Sequence, residues 1–291
     1  MVTVAYLAYG PRRFTETTVF SALTFIHAAA PSSQPWNLVV YTDAPELFTA
    51  YGVECDLFPT ESLEDRRTLP GYSYRLKLMA VRDCAERYDG DLFFVDGDTY
   101  FLGPAEDLFG RVSASHSVLH QFEWTVSERT QPRLHRLIAD VSFESPTLRA
   151  ARRRSDLPMW NSGTIGIAEG TKPAIYEVIE ICDELCAADG YHAMEQFAWG
   201  LALERRSEIA AVDDLIYHYW HAREEVTHRI VRFLRGNRRL PPDELAARAY
   251  DLRPTASESW RPPMEIRARR AVRSVRSRVK GVVANTTSRS S

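Results

Sequence analysis

The chain has 291 residues, of which 45% are hydrophobic and 26% charged, an ordinary composition for a soluble globular protein with a sizeable core. Its formal net charge of −3 argues against a general nucleic-acid-binding protein, which is usually clearly basic, so we expect no nucleic-acid partner. The four cysteines form no CxxC pair and therefore indicate free thiols in a reducing compartment rather than a zinc site.

Two features of the sequence bear on its location. Residues 1–14 lack the basic start and apolar core of a signal peptide. No stretch reaches the roughly 18 apolar residues that a transmembrane helix needs. We therefore expect a cytoplasmic protein, and any contact with a membrane should be peripheral and on its inner face.

The first third of the chain alternates short apolar runs with amphipathic segments. Residues 2–8 predict a buried strand, and a helix follows from Thr15 and ends at Pro31. Further strands are predicted at 38–41, 53–58 and 92–95, and a second helix at 72–88. This alternation predicts an α/β fold with a mostly parallel sheet flanked by helices, whose ligands bind at the carboxyl ends of the strands.

The rest of the chain has a weaker pattern, and residues 121–158 are less regular. The predicted elements are strands at 117–120 and 164–167, helices from 173 and over 193–204, and a last apolar run at 215–220. We expect a main domain at 1–225, an extension at 226–259 and a tail at 260–291.

The strongest chemical signal is Asp96-Gly97-Asp98, which directly follows the predicted strand at 92–95. Carboxylates at i and i+2 on extended backbone can bind one hard cation, and glycine between them lets the backbone approach it. A polar turn is the alternative, because Asp-Gly is a common turn pair. The Asp-Gly-Asp at 89–91 has the same spelling but precedes the strand, so only the second copy stands where ligands bind.

A phosphatase of the haloacid dehalogenase type also places an Asp-x-Asp pair after an apolar strand. Its motif has Thr or Val two residues after the second aspartate, where this chain has Tyr100. That motif also usually begins the chain, whereas here a strand, a helix and further strands come first. Such a phosphatase is therefore the alternative interpretation.

Other polar motifs accompany the aspartates in a defined order. They are Ala8-Tyr9 at the end of the first strand, Arg75 and Lys77 on the second helix, Asp96-Gly97-Asp98, Asn161-Ser162-Gly163, Glu195-Gln196 and His218. This order resembles the retaining GT-A glycosyltransferases that include glycogenin and the bacterial lipopolysaccharide galactosyltransferases. The resemblance covers about residues 2–221 and consists of ordered motifs rather than close identity.

The resemblance implies how a donor would be held. Ala8 and Tyr9 would contact the nucleotide base, and Arg75 or Lys77 would place positive charge or a hydrogen-bond donor near the sugar diphosphate. The donor sugar would lie against the turn formed by residues 161–163.

The resemblance also implies the metal ligands and the residues around the anomeric carbon. Asp96, Asp98 and His218 would bind Mn²⁺ or Mg²⁺, with His192 and His221 as competitors for the histidine ligand. The residues expected at the reacting carbon are Gln196 beneath the sugar, and Glu195 or Asn161 orienting donor or acceptor.

The activity implied by the resemblance is transfer of a sugar from a nucleotide diphosphate, with UDP expected, to a glycan, lipid-linked or other acceptor. The acceptor would attack from the leaving-group side, so that the anomeric configuration is retained. An inverting enzyme would instead need a carboxylate base, for which Glu123, Asp156 and Glu195 are candidates. A GT-A scaffold that binds nucleotide sugar without transferring it is a further alternative.

The sequence departs from the family pattern at two places. The family follows its histidine with a lysine that contacts the diphosphate, but here no lysine follows His218. Arg223 or His221 would have to replace it. The acid that usually follows the first strand is also absent, because Tyr9-Gly10-Pro11 stands there.

Residues 260–291 differ in character from the rest of the chain. Basic residues follow one another with hardly an acid among them, and apolar residues recur at near-helical spacing. A basic amphipathic helix of this kind can lie on an anionic membrane surface, which would suit a lipid-linked acceptor. A disordered cationic tail is the alternative.

Overall fold

The computed structural model describes residues 1–64, 74–189 and 193–254. Its strands are β1 (Val2–Ala8), β2 (Trp36–Thr42), β3 (Asp56–Pro59), β4 (Asp91–Val95), β5 (Thr99–Phe101), β6 (His116–Thr125), β7 (Pro158–Ile167), β8 (Glu208–Ala210) and β9 (Ile216–His218). Its helices are α1 (Arg12–Ala29), α2 (Pro45–Ala50), α3 (Glu61–Glu64), α4 (Arg75–Arg87), α5 (Ala105–Phe109), α6 (Pro132–Asp140), α7 (Pro146–Ala151), α8 (Ala174–Asp189), α9 (Met194–Glu204), α10 (Arg223–Asn237) and α11 (Pro242–Leu252). Among the described residues, no helix is long and apolar enough to cross a membrane.

Seven strands form the central sheet in the order β3-β2-β1-β4-β7-β6-β8. The first four in this order are mutually parallel, β7 runs antiparallel to both neighbours, and β6 is parallel to β8. Helices cover both faces of the sheet. The predicted class, α/β with a mostly parallel central sheet flanked by helices, is confirmed.

Side chains of β1 alternate between two cores, because successive residues of a strand point to opposite faces. Ala5 packs in the core on one face, which also contains residues of α4, α8 and α9. Val4 and Tyr6 pack in the other, with residues of α1, α10 and α11. Burial on both faces explains why β1, β2 and β4 appear in the sequence as continuous apolar runs.

A small second sheet connects the end of β4 to a distant part of the chain. Strand β5 pairs antiparallel with β9, and Thr99 lies opposite His218 in this pairing. The Tyr219 N–H donates to the Asp98 carbonyl oxygen at 3.2 Å, which extends the pairing by one residue. His218 is thereby held beside Asp98.

The structure corrects several predicted boundaries. Strand β7 begins six residues before the predicted 164, so Asn161, Ser162 and Gly163 lie in a strand and not in a turn. Residues 121–158, predicted as irregular, include the end of β6 and the helices α6 and α7. The first half of β7 was not predicted as a strand because it carries polar and glycine residues that face a cleft rather than the core.

Two helices, α10 and α11, lie mostly in the segment 226–259, where no helix was predicted. Apolar residues Val226, Ile230 and Leu234 recur every fourth position of α10 and are buried in the core that α1 shares. Arg235 also binds the fully buried Glu16 of α1 through two contacts of 3.0 Å. These contacts hold α10 against α1. The basic tail at 260–291 and His192 lie outside the described residues.

Candidate active site

A cleft of about 470 Å³ opens at the carboxyl ends of β1 and β4. This is the edge at which open α/β sheets bind ligands. Of the predicted site residues, those that line the cleft are Ala8, Tyr9, Lys77, Asp96, Gly97, Asp98, Asn161, Ser162, Gly163, Glu195, Gln196 and His218. The structure therefore brings together, in one cleft, side chains spread over some two hundred residues of sequence.

Asp96, Asp98 and His218 each offer one ligand atom, and these atoms lie within 4.8 Å of one another. The two carboxylates come from the segment between β4 and β5, and the histidine comes from β9. Carboxylate oxygens with one imidazole nitrogen suit Mn²⁺ or Mg²⁺ better than the softer metals that prefer thiolates. The donor set fits the predicted metal.

The hydrogen bonds of Asn161 define which nitrogen of His218 faces the aspartate. Asn161 Oδ1 accepts from the Gly163 N–H at 2.8 Å and lies 3.0 Å from His218 Nδ1. Because a carbonyl oxygen only accepts, Nδ1 must carry the proton. Nε2 then points at Asp98 Oδ1, 3.3 Å away. A proton on Nε2 or a cation bound between the two atoms stabilises this approach, and the fixed Nδ1–H leaves Nε2 as the nitrogen that can bind a metal.

Two glycines allow this close packing. A Cβ on Gly97 would overlap the Thr18 side chain of α1, and a Cβ on Gly163 would overlap the His218 ring and the Asn161 amide. Gly97 was predicted to let the backbone approach a cation, and the structure shows that it also makes room for α1. Gly163 makes room for the histidine.

The buried Lys77 lies on the β4 side of the cleft. Its Nζ donates to the Ser162 carbonyl oxygen at 2.6 Å and lies 3.1 Å from Asp96 Oδ1 and 3.5 Å from Glu195 Oε1. Ser162 Oγ donates to the other oxygen of Glu195 at 2.8 Å. Lys77 therefore connects a metal ligand to the Glu195 carboxylate and holds both in place.

Burial and charge act in opposite directions on the pKa values of this group. Burial lowers the pKa of Lys77, but the carboxylates of Asp96 and Glu195 outweigh it and the net change is upward. Burial raises the pKa of Glu195, and Lys77 only partly offsets this. For Asp98 burial also acts upward, but the hydrogen bond and charge of His218, with Arg223, lower its pKa overall. Lys77 and Asp98 are thus held in their charged forms.

Glu123 joins the residues predicted to surround the donor sugar. Its Oε1 accepts from Asn161 Nδ2 at 3.0 Å, and its Oε2 accepts from Gln196 Nε2 at 3.1 Å. The sequence suggested Glu123 only as a base for an inverting reaction. Here both oxygens are engaged by amides.

Three predicted residues do not reach the cleft. Arg75 points to α8, where Asp183 binds its guanidinium through contacts of 2.7 and 2.8 Å. Asp156 is exposed and pairs with Arg154 at 2.9 Å. His221 does not line the cleft either. Of the two residues considered in place of the missing lysine, Arg223 is the one that lines the cleft, and it lies 3.3 Å from Asp98 Oδ2.

Further residues in or beside the cleft were not expected from the sequence. Asp43, which follows β2, accepts from the Gly10 N–H at 2.8 Å, so an acid does contact the loop after β1. His120 is buried edge-on against the His218 ring, and burial lowers its pKa to about 3, which keeps it neutral. Trp220 and Tyr74 line the cleft with half-exposed rings. Tertiary structure brings Tyr74 and Trp220 into the cleft, and it places Asp43 and His120 against residues that line it.

The chain was compared with known proteins. No family model matches it, and no curated protein matches it. Among solved structures it is similar to mouse xyloside xylosyltransferase 1 in its apo form, with 11% identity, a TM-score of 0.46, and coverage of 73% of this chain and 86% of that one. At this identity and TM-score, the similarity assigns neither activity nor substrate to the chain.

Proposed function

We propose that the protein is a metal-dependent glycosyltransferase that uses a nucleotide diphosphate sugar, with UDP as the expected nucleotide. The observation that supports this best is the cluster of Asp96, Asp98 and His218 at the carboxyl edge of a parallel sheet. A divalent cation held there would stabilise the negative charge that grows on a diphosphate leaving group. The ordered motifs of the sequence, most of which line the same cleft, point to the same chemistry.

The side chains around the cluster have complementary tasks. Arg223 adds a positive charge beside Asp98 and would bind a diphosphate oxygen. Its guanidinium also lies over the Phe14 ring, 4.5 Å from the centroid, which restricts its orientation. Ala8 and Tyr9, at the end of β1, would hold the base. Lys77, 3.1 Å from Asp96 Oδ1, would hold that carboxylate in place when a cation binds.

The same geometry favours retention of configuration. An inverting transferase needs a free carboxylate that takes the proton of the acceptor. Glu195 is buried against Lys77 and Ser162, Glu123 is bound by two amides, and Asp156 lies outside the cleft. We therefore propose that the acceptor attacks from the side of the leaving group, above the sugar that Gln196 supports.

The acceptor is proposed to be a glycan, free or linked to a lipid. Trp220 and Tyr74 line the cleft with 51% and 47% of their surface exposed, so both rings are open to a ligand. Flat rings beside a polar cleft suit the apolar face of a sugar ring.

In the folded protein, Trp220→Ala should raise the KM for a saccharide acceptor about tenfold or more and leave donor hydrolysis unchanged. An unchanged acceptor KM would remove Trp220 from the acceptor site.

A screen of nucleotide sugars for hydrolysis in the presence of Mn²⁺ tests the function without knowledge of the acceptor. We expect slow release of UDP from one or a few UDP-sugars and loss of this release in excess chelator. Proton NMR of the first sugar product should show the anomeric configuration of the donor. Phosphate release from simple monoesters would instead support the phosphatase. Tight UDP-sugar binding without hydrolysis or transfer would support the non-catalytic scaffold.

A further inference from the structure

We propose that Glu123 is a positioning residue that sets the orientation of two amides at once, and through one of them selects the tautomer of His218 that can bind metal. The proposal concerns the orientation of side chains within the cleft. It rests on the proposed function only in that the cation bound there would serve sugar transfer. Glu123 itself contacts neither a metal ligand nor the proposed position of the ion.

The first link runs from Glu123 to the histidine. As a carboxylate, Glu123 can only accept hydrogen bonds, so the Asn161 atom 3.0 Å from its Oε1 must be the NH₂ group. The carbonyl oxygen of Asn161 then faces the opposite way, where the Gly163 N–H and His218 Nδ1 both reach it. Nδ1 becomes the donor, and Nε2 is left with its lone pair toward Asp98. Carboxylate, amide and imidazole therefore form one hydrogen-bonded chain, in which each group orders the next, and the cation would bind at its histidine end.

The second link runs from Glu123 to Gln196. Gln196 Nε2 donates to Oε2 of the same carboxylate at 3.1 Å, so the amide of Gln196 also has one preferred orientation. Its carbonyl oxygen is consequently directed away from Glu123. One carboxylate thus orients both the histidine ligand and the residue proposed to lie beneath the donor sugar.

An irregularity in the sheet explains why Glu123 can do this. In the β6–β7 pair Phe122 lies opposite Trp160 and Trp124 lies opposite Met159, so the register shifts at Glu123, which has no partner across the strands. A bulge of this kind re-aims a side chain and is frequent beside active sites. Here it directs Glu123 into the cleft that Asn161 and Gln196 also line.

The test exchanges hydrogen-bond donors and acceptors between the side chains at positions 123 and 161. In Glu123→Gln the new side chain offers one acceptor and one donor group to two amide donors, so either Asn161 or Gln196 must turn. In Asn161→Asp a carboxylate faces the Glu123 carboxylate. In the double variant the new glutamine donates to the new aspartate and accepts from Gln196, and the aspartate accepts from Gly163 and His218. The double variant should therefore restore what each single variant loses.

Two readouts report on this without activity. Mn²⁺ affinity, measured by electron paramagnetic resonance, should fall about 10–100-fold in each single variant and recover most of the loss in the double variant. In ¹⁵N-histidine-labelled, metal-free protein at about pH 8, where an ordinary imidazole is neutral, His218 should carry its proton on Nδ1 in the wild type, in Asn161→Asp and in the double variant, because each keeps an acceptor facing Nδ1. In Glu123→Gln the Asn161 amide is no longer held in one orientation, and this preference for Nδ1 should be reduced. Glu128→Gln, an exposed change five residues along the chain, is the matched control and should alter neither readout.

The proposal is overturned if Glu123→Gln leaves both readouts unchanged, or if the double variant is no better than the single ones. Thermal unfolding of all variants separates loss of order in the cleft from loss of the fold. A wild-type protein that binds Mn²⁺ and has the expected tautomer but hydrolyses no nucleotide sugar would overturn the proposed function and leave the role of Glu123 intact.

Discussion

Asp98→Asn should reduce Mn²⁺ affinity by about 100-fold or more and abolish Mn²⁺-dependent hydrolysis of a UDP-sugar, while the protein remains folded. The amide removes a negative charge from a ligand that His218 and Arg223 already surround. It keeps the size of the side chain, so the β5–β9 pairing beside it should survive. Metal titration, donor hydrolysis and thermal unfolding together measure these effects. Asp96→Asn should act in the same direction and also leave Lys77 with less negative charge nearby.

The chain supplies a matched control for this prediction. The sequence Asp-Gly-Asp also occurs at residues 89–91, at the opposite end of β4. Asp89 is exposed there, and Asp89→Asn removes the same charge from the same local sequence. It should leave metal affinity and hydrolysis unchanged. Equal losses in the two variants, or full activity of Asp98→Asn, would contradict a metal site at the end of the strand.

Gly163→Ala should lower Mn²⁺ affinity about 10–100-fold without removing any ligand atom. The added Cβ would overlap the His218 ring and Asn161 Oδ1, so the histidine must move away from Asp98. Measuring both the Mn²⁺ affinity and the thermal unfolding of this variant separates a local shift of His218 from a general loss of stability. A wild-type affinity in Gly163→Ala would mean that His218 does not bind the ion from the position seen here.

Gly236→Ala is the control for the glycine prediction. A Cβ at Gly236 meets open space on the surface of α10, so the substitution should change neither metal binding nor hydrolysis. Because alanine favours a helix more than glycine does, we expect equal or slightly higher stability. The pair therefore compares the same chemical change inside and outside the cleft.

The part of the fold that the sequence predicts well is the half in which each strand is buried on both faces. Runs such as residues 2–8 and 92–95 are apolar throughout and bounded by polar loops, so their type and limits were clear. Strand β7 was predicted too short because its first half carries Asn161, Ser162 and Gly163, which serve the cleft instead of the core. These polar and glycine residues interrupt the apolar pattern by which a buried strand is predicted, so the first half of β7 could not be recognised from the sequence.

The choice between Arg75 and Lys77 shows another limit of local sequence. On an α-helix, residues two positions apart point in nearly opposite directions, so only one of the pair can enter the cleft. The sequence does not say which, because that depends on how α4 sits on the sheet. Lys77 faces Asp96 and Glu195, and Arg75 instead binds Asp183 of α8.

The contacts of the site that join segments distant in sequence could likewise not be predicted from local sequence patterns. His218 reaches Asp98 because β9 pairs with β5, and strands this short carry little sequence signal. Arg223 reaches Asp98 because α10 begins beside that pairing. Glu123 enters the cleft through a register shift between β6 and β7. Each of these residues is specified by pairing between segments distant in sequence.

A crystal structure of the protein with UDP and Mn²⁺, with anomalous data collected near the manganese edge, tests the central proposal most directly. We expect one anomalous peak within coordination distance of Asp96, Asp98 and His218 Nε2. The UDP diphosphate should contact both this ion and Arg223, with the base near Ala8 and Tyr9. UDP bound in the cleft without a peak between these three ligands, or a peak elsewhere on the molecule, would contradict the proposal.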